Sequence, residues 1–139
     1  MKQVTRKVDL NKAAEAFEMI DAETHLFYNT ETGEFDWYND FFGSPDDNDT
    51  EKFEDDEWVM APTQWDIEEY EMMVDFAGAV DDPRKCELLC VALEGRGAFR
   101  RFKDTLYRVD MTEEWYKFKH EKYIEVAREW CEQNGLEYI

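Results

Sequence analysis

The chain reverses direction at residues 95–104, Gly-Arg-Gly-Ala-Phe-Arg-Arg-Phe-Lys-Asp, and this stretch predicts how the C-terminal part folds. Gly95 ends one apolar run with helical spacing and Gly97 opens another. A single residue, Arg96, therefore lies between two positions that suit left-handed backbone angles. We predict two helices that are joined by this turn and packed as neighbours.

The second of these helices has an apolar face and a basic face. Its apolar face is predicted from four residues at helical spacing, Phe99, Phe102, Leu106 and Val109. Cations in the first turn of a helix oppose its macrodipole, so the basic side chains need a negative partner. The candidate anion-binding residues are Arg96, Gly97, Arg100, Arg101 and Lys103.

Two negative partners stay open for these cations. One is internal, because Asp104 lies four residues from both Arg100 and Arg108 and can form an Arg-Asp-Arg ladder. The other is an external phosphate or nucleotide, held by main-chain amides and arginine forks. The internal partner is favoured because the chain has 35 acidic residues for 16 basic ones.

Composition bounds the class of protein. A chain of 139 residues predicts a single domain, residues 1–139. The formal net charge of -19 argues against direct DNA binding and against an anionic membrane, since both are polyanions. We expect a protein partner with a basic surface.

Cysteine usage and hydropathy indicate a cytoplasmic protein. Cys86, Cys90 and Cys131 make no even disulfide framework and are predicted to be reduced, buried thiols. The longest apolar run, Leu88 to Leu93, is far too short to cross a bilayer, and no leader pattern follows Met1.

The N-terminal part predicts a strand, a helix and a hairpin. Residues 4–10 alternate like a strand, and Asp9 then caps a helix to about Ile20. The buried stripe of this helix is Leu10, Ala13, Ala14 and Phe17. Strands at 26–28 and 35–38 flank a loop closed by Gly33, which predicts a hairpin.

Rings are expected on both faces of the hairpin. We place Phe27, Phe35 and Trp37 on one face and Tyr28 and Tyr38 on the other. A sheet that is apolar on both sides needs two covers, and the first helix supplies only one. The second cover is either the C-terminal helices or a partner.

An acidic segment follows the hairpin. Residues 40–57 contain nine acids and one lysine. Together with the neighbouring rings, the segment is our candidate partner-binding site: Asp46, Asp47, Asp49, Glu51, Glu54, Asp55, Asp56, Glu57, Trp37, Tyr38, Phe41 and Phe42. An approximate calcium-loop pattern from Asp46 has Glu51 where glycine is required, so no metal is predicted.

The C-terminal part predicts a bundle of about four helices. Trp58 to Ala61 is a further strand, and a helix capped by Thr63 and Asp66 runs to Gly78 or Asp81. Asp82-Pro83 opens the next helix, and Thr112 caps the last one, which ends near Gly135. The predicted inner residues of these three helices are Ile67, Tyr70, Val74 and Ala77, then Cys86, Leu89, Cys90 and Leu93, then Tyr116, Tyr123, Ala127 and Trp130.

The fold class is therefore α+β: a small N-terminal antiparallel β-sheet with one helix, followed by the helical bundle. Within the domain, residues 1–62 hold the sheet and the acidic segment, and 63–139 hold the helices.

Catalysis has little support in the sequence. The two histidines, His25 next to the hairpin strand and His120 on a helix stripe, are more typical of structural or surface residues than of a general base, and no nucleophile motif occurs. Cys86, Cys90, Cys131 and His120 do not have the spacing of a usual zinc site. We predict no catalytic residue, no metal site and no cofactor.

The motif Ala92-Leu-Glu-Gly-Arg-Gly-Ala-Phe-Arg-Arg-Phe-Lys-Asp104, with the later runs Trp-Tyr-Lys-Phe at 115–118 and Ala-Arg-Glu-Trp at 127–130, resembles a bacterial uncharacterised protein family, UPF0158. The hairpin segment Glu-Thr-Gly-Glu at 31–34 is also similar to its members. The resemblance implies a small α+β protein of unknown function and brings no activity, cofactor or site residues.

Three functions follow from these observations. The leading one is a non-enzymatic interaction or regulatory protein that binds a basic partner through its acidic, aromatic N-terminal half. The second is a nucleic-acid mimic of the anti-restriction or anti-CRISPR type, which the net charge suggests. The third is a phosphate- or nucleotide-binding protein that uses the turn at residues 95–104.

Overall fold

The structure is a computed structural model, and it describes residues 7–41 and 51–139. These form two compact units: a sheet unit, Met1–Ile67 with Tyr123–Ile139, and a helical unit, Glu68–Lys122. The prediction of a single domain stays a prediction.

The first helix, α1 (Leu10–Phe17), begins where the capping residue was predicted. A carboxylate oxygen of Asp9 accepts the main-chain N–H groups of Asn11 (3.0 Å) and Lys12 (3.3 Å). The predicted stripe is buried in full. The helix ends three residues before Ile20.

The predicted N-terminal strand lies largely outside the described residues, except at its end. Val8 donates its main-chain N–H to the carbonyl of Glu137 (2.8 Å) and accepts one from Ile139 (2.9 Å). The segment before α1 thus pairs with the last residues of the chain in a parallel bridge.

Three antiparallel strands form the sheet in the order β2-β1-β3: β1 (Thr24–Asn29), β2 (Phe35–Asn39) and β3 (Trp58–Met60). The hairpin is confirmed, with Gly33 in the left-handed region at φ 78°. The Asn29 side chain accepts the N–H groups of Glu31 (2.8 Å) and Thr32 (3.0 Å) and so fixes the start of the loop.

The register corrects our assignment of rings to faces. Tyr28 pairs with Phe35 and Leu26 with Trp37, so these side chains share the inner face, while Phe27 pairs with Asp36 on the outer face. The error lay in Phe27 and Tyr28, because strand alternation alone does not say which parity of one strand matches which parity of the next.

The inner face packs on aromatic rings from two helices. Phe17 of α1 meets Trp130 edge-on at 5.3 Å between ring centroids, and Trp130 meets Tyr28 at 5.8 Å. Trp130 belongs to α6 (Thr112–Gln133) and also donates its indole N–H to the carbonyl of Met60 (2.9 Å). An aromatic core therefore closes one side of the sheet.

The helix predicted from Thr63 is two helices, α2 (Gln64–Ile67) and α3 (Glu69–Gly78). The capping box is present, with the Asp66 N–H donating to the Thr63 hydroxyl oxygen (3.3 Å) and the Thr63 N–H donating to the Asp66 carboxylate (3.0 Å). Glu68 then adopts φ 56°, which ends α2. The buried residues of α3 are Met72, Met73, Phe76 and Ala77, so Tyr70 and Val74 were wrongly placed inside.

Helices α4 (Pro83–Ala92) and α5 (Ala98–Arg108) meet at the predicted turn, and α4 packs against both α3 and α5. Gly95 and Gly97 both have positive φ, 75° and 73°, as the sequence indicated. Phe102 and Leu106 are buried, but Phe99 is 48% exposed, which corrects its predicted inward position.

The long helix α6 contributes to both units. Trp115 is buried and Tyr116 is exposed, so the predicted face was one residue out of register at this end, whereas Tyr123, Ala127 and Trp130 are buried as predicted. In the helical unit Trp115 packs edge-on against Phe102 (5.1 Å) and Phe76 (5.5 Å). The fold class, an α+β protein with an N-terminal antiparallel sheet and C-terminal helices, is confirmed.

Among the described residues, no helix has both the length and the apolar composition that a bilayer crossing requires.

Candidate functional site

Arg101 of the basic turn binds main-chain carbonyl groups. Its Nε donates to the carbonyl of Ala92 (3.1 Å), and its two terminal nitrogens donate to the carbonyls of Arg96 and Glu94. These carbonyls lie at and beyond the C-terminal end of α4, where the helix leaves its last acceptors without an intrahelical partner. Arg101 is thus a capping side chain, a role that differs from both partners considered in the sequence.

The other cations of the turn are exposed. Among the described residues, Arg96, Arg100 and Lys103 make no ion pair within 4.0 Å. The predicted Arg-Asp-Arg ladder is also absent at that distance within residues 7–41 and 51–139, and Arg108 donates to the Thr105 hydroxyl (3.4 Å). An external anion at this turn stays a prediction, with Arg101 already occupied.

Charge is divided unequally between the two units. The helical unit carries 10 of the 16 Lys and Arg residues and 13 of the 35 acids, a net charge of -3. The sheet unit carries the remaining 6 and 22, a net charge of -16. The acidic surface that the composition indicates therefore belongs mainly to the sheet unit.

The predicted partner-binding residues are only partly described. Phe42, Asp46, Asp47 and Asp49 lie outside the described residues, as does the side chain of Glu51. Glu54, Asp55 and Asp56 are exposed, Glu57 is half-buried, and Phe41 is 77% exposed. Trp37 and Tyr38 project from opposite faces of β2, so the structure divides the predicted site between two surfaces.

The outer face of the sheet carries five half-buried rings, which we call the outer aromatic cluster: His25, Phe27, Tyr38, Phe53 and Trp58. Phe53 lies on a short 3-10 helix (Glu51–Glu54) and stacks on Phe27 at 4.2 Å between centroids. Trp58 meets Phe53 edge-on at 4.9 Å, and Tyr38 stacks on His25 at 4.6 Å. Part of this face is thus covered by Phe53 of the 3-10 helix, whereas the sequence predicted a cover by the C-terminal helices or a partner, and the half-buried rings leave ring surface accessible.

Lys52 places its ammonium group on this cluster. Its Nζ lies 5.2 Å from the Phe53 centroid and 5.6 Å from the Trp58 centroid, and it pairs with a carboxylate oxygen of Asp36 at 2.6 Å. Aromatic faces and a carboxylate are the usual receptors of a cation. The arrangement can hold an ammonium or guanidinium group. Neither Lys52 nor Phe53 was predicted as a site residue, although Lys52 is the one cation of residues 40–57.

A cavity of about 330 Å³ opens on the inner side of β2, and we call it the edge cavity. It is mostly apolar, and Asn39 donates to the Thr24 hydroxyl (3.0 Å) at its polar end. This cavity was not predicted from the sequence. A usable signal was the pair Met19 and Ile20, which follow α1 outside its buried stripe. The lining residues are Ala16, Met19, Ile20, Thr24, Leu26, Phe35, Trp37 and Asn39.

The three thiols differ in burial. Cys131 is buried as predicted, and burial raises its pKa to about 11, while Cys90 is exposed and Cys86 half-buried, which corrects the prediction for Cys90. His25 contacts Asp40 (3.0 Å) at the rim of the outer aromatic cluster. Within the part of the chain that the structure describes, no group of three or more His, Cys, Asp or Glu residues is placed to hold a metal ion.

Comparison with known proteins places the chain in a family. The model of an uncharacterised protein family, UPF0158, matches residues 8–139. The UPF0158 protein PA5073 of Pseudomonas aeruginosa is 31% identical over 67 residues, which are 48% of this chain and 44% of that relative, so the match spans less than half of either protein. No solved structure matches the chain. Because the family model covers nearly the whole sequence, the chain belongs to the uncharacterised protein family UPF0158.

Proposed function

We propose that the protein is a non-enzymatic interaction module that binds a cationic segment of another protein on the outer face of its sheet. The observation that carries the proposal is the position of Lys52, whose ammonium group lies over Phe53 and Trp58 and pairs with Asp36. The chain's own lysine occupies the place that a partner's lysine or arginine would take.

The surroundings favour a cationic occupant. A cation over an aromatic face contributes about 0.5–2 kcal/mol, and more where water is excluded. The net charge of -16 on the sheet unit attracts a basic partner and raises its association rate, an effect that salt weakens. Three exposed acids lie close to Lys52 in sequence, since Glu54 ends the 3-10 helix that supplies Lys52, and Asp55 and Asp56 follow it. The rings and Asp36 thus bind one cation of the partner, and the negative charge of the sheet unit attracts its other cations.

The test measures the affinity of a penta-lysine peptide by calorimetry. Lys52→Gln removes the resident cation, so we expect binding to become about three- to tenfold tighter, the equivalent of roughly one cation–aromatic contact. Lys12→Gln removes an exposed cation from the same unit without touching the cluster, and it controls for the general change in charge. Equal effects of the two substitutions, or no binding to the natural chain, would refute the proposal.

The mimicry of a nucleic acid is a second candidate, and the unequal division of charge favours it. A surface with most of the charge of -19 concentrated in one unit can compete with DNA for a basic protein. Double-stranded DNA should then displace the captured partner in proportion to its phosphate concentration. A partner that stays bound at saturating DNA would exclude mimicry and leave the cation-binding module.

We propose a cytoplasmic location for this activity. The three cysteines are free, and reduced thiols are typical of that compartment.

A further inference from the structure

We propose that the edge of β2 facing away from β1, which has no neighbouring strand among the described residues, takes up an extended segment of the partner as an added strand, and that this segment alternates apolar and cationic residues. The inference rests on the proposed function and specifies the partner's sequence pattern. It joins the outer aromatic cluster and the edge cavity, which lie on opposite sides of the same strand.

The hydrogen bonds of the hairpin show in which direction the main-chain groups of β2 point. The N–H of Asn29 donates to the carbonyl of Glu34 (2.8 Å), and the N–H of Asp40 donates to the carbonyl of Glu23 (2.9 Å). Because main-chain groups alternate in direction along a strand, the even-numbered residues from 34 to 40 point their N–H and C=O groups toward β1. The main-chain groups of Phe35, Trp37 and Asn39 therefore point away from β1. In the strand order β2-β1-β3 of the described residues, that side of β2 has no neighbouring strand.

The chain protects this edge with its own side chain. The N–H of Trp37 donates to one carboxylate oxygen of Asp36 (2.8 Å), and the other carboxylate oxygen binds Lys52. Natural edge strands are commonly shielded by charged groups in this way. A carbonyl of an added strand would replace the carboxylate as acceptor, and Asp36 would then be free to pair with a cation of the incoming segment.

The two faces of β2 set the pattern of the added strand. Residues directly opposite each other in a sheet project from the same face. Partner residues opposite Phe35, Trp37 and Asn39 would project toward the edge cavity, and those opposite Asp36 and Tyr38 would project toward the outer aromatic cluster. The first set must be apolar and the second cationic.

The inner side accepts an apolar anchor. The edge cavity has about 330 Å³, within the usual range of ligand pockets, and its lining is mostly apolar. Met19 and Trp37 at its margin are 78% and 39% exposed, which leaves apolar surface to be buried. An aliphatic side chain of the added strand fits this space.

Charge complementarity requires the remaining residues of the segment to be basic. No lysine or arginine occurs from residue 13 to residue 51, a stretch that includes the end of α1 and both strands of the hairpin and contains 12 acids. An acidic or neutral segment would bring no cation to Asp36 or Asp40. A basic segment neutralises them and gains the long-range attraction of the sheet unit.

The test compares two acetylated, amidated peptides of the same composition, measured by fluorescence anisotropy on the full chain. The alternating peptide is Leu-Lys-Val-Lys-Leu-Lys-Val, and its block isomer is Leu-Val-Leu-Val-Lys-Lys-Lys. We expect the alternating peptide to bind at least about tenfold tighter, because only its two sets of side chains match the two faces. N-methylation of successive amides should weaken binding at every second position, since alternate amides of an added strand face β2.

Protein variants separate the edge cavity from general attraction. Trp37→Ala should weaken the binding of the alternating peptide by about tenfold, as the loss of an aromatic anchor does. The control is Trp65→Ala, which should leave binding unchanged because Trp65 of α2 is 74% exposed and does not line the cavity. Met19→Lys places a like charge at the cavity margin on a side chain too exposed to matter for folding, and it should weaken binding as well. This second variant keeps the test valid if Trp37→Ala does not fold.

Three outcomes would overturn strand addition. Equal binding of the block isomer with no periodic effect of N-methylation would refute it and leave the proposed cation recognition standing. If neither peptide binds while penta-lysine still binds, strand addition is likewise refuted and the proposed cation recognition stands. Binding of the uncharged probe N-acetyl-leucine amide in the cavity, unaffected by the alternating peptide, would assign the cavity to a small ligand instead.

Discussion

Replacing Arg101 by alanine should destabilise the protein far more than replacing its neighbour Arg100. Arg101 donates to three main-chain carbonyls at the end of α4 and in the turn that follows, those of Ala92, Glu94 and Arg96. Arg100 is exposed and makes no ion pair within the described residues. The two substitutions remove the same charge from adjacent positions of α5.

The magnitude follows from how many of these bonds water can replace. A hydrogen bond from a charged donor contributes about 1.5–3 kcal/mol, and two of the three are at the surface, where the carbonyl regains water. The bond to Ala92 is partly buried, so water replaces it less readily. We therefore expect Arg101→Ala to lower the free energy of unfolding by about 2 kcal/mol, and Arg100→Ala to change it by less than about 0.5 kcal/mol.

Urea unfolding followed by far-ultraviolet circular dichroism measures both variants. Arg101→Lys adds a second comparison, because lysine keeps the charge but lacks the planar fork that reaches several acceptors, so it should recover less than half of the loss. Equal destabilisation by Arg100→Ala and Arg101→Ala would refute the capping role. Full recovery by lysine would show that only the charge matters.

Three further predictions concern the backbone of the helical unit and the buried thiol. Gly97→Ala should lower the free energy of unfolding by about 1–2 kcal/mol, because φ is 73° and the new Cβ would lie 3.2 Å from a terminal nitrogen of Arg101. Gly78→Ala, where the new Cβ has no atom within 4 Å, should raise the free energy of unfolding slightly in the same urea assay. Asp82→Ala should lower the free energy of unfolding by about 1 kcal/mol, because it removes the acceptor of the Arg84 and Lys85 N–H groups. Asp81→Ala, at the neighbouring exposed residue, should have a much smaller effect. Equal changes of the melting temperature in the two variants would contradict this. Burial raises the pKa of Cys131 from 9.0 to about 11, so the thiol ionises at a lower pH in the unfolded chain than in the folded protein. The stability that the burial of this thiol provides is therefore complete below pH 9.0 and is lost as the pH rises toward 11. Cys131→Ala should flatten the fall of the unfolding free energy over that range, and an unchanged pH profile would exclude the thiol as its cause.

Local chemistry made much of the fold predictable from the sequence. Asp9, Asp66 and Gly33 each act within three or four residues of themselves, and the cap, the capping box and the hairpin turn all appear where they were predicted. The two positive φ angles around Arg96 belong to the same class, because glycine at such positions reports backbone geometry directly.

Errors arose where the structure depends on contacts distant in sequence. Glu68 adopts a left-handed angle that its residue type does not favour, so nothing local indicated the end of α2. The choice between Trp115 and Tyr116 as the buried residue was equally invisible, since both are aromatic and adjacent. The core selects Trp115 through its contacts with Phe76 and Phe102.

The candidate site was predicted in kind but divided in space. The sequence indicated acids and rings around β2, and it could have shown that Trp37 and Tyr38 alternate across the strand. It could not show that Lys52 returns to Asp36 across sixteen residues of chain, because that contact depends on the path between them. The edge cavity likewise exists only once the end of α1 lies over the inner face of the sheet.

The net charge of the whole chain does not by itself exclude an anionic ligand, because charges act only over a short distance in salt solution. At physiological ionic strength the Debye length is about 8 Å, so a ligand responds to the charges near its own site. Residues 96–108 have a net charge of +4 within a chain of -19, and Arg101 contributes to that sum while its donors are already bound to carbonyls. Arg108 donates to the Thr105 hydroxyl, and the remaining cations, Arg96, Arg100 and Lys103, make neither an ion pair nor a side-chain hydrogen bond among the described residues. The composition therefore argues against polyanions most strongly for the sheet unit, whereas at the helical unit the outcome depends on these three side chains. Calorimetry with inorganic phosphate would measure what they bind.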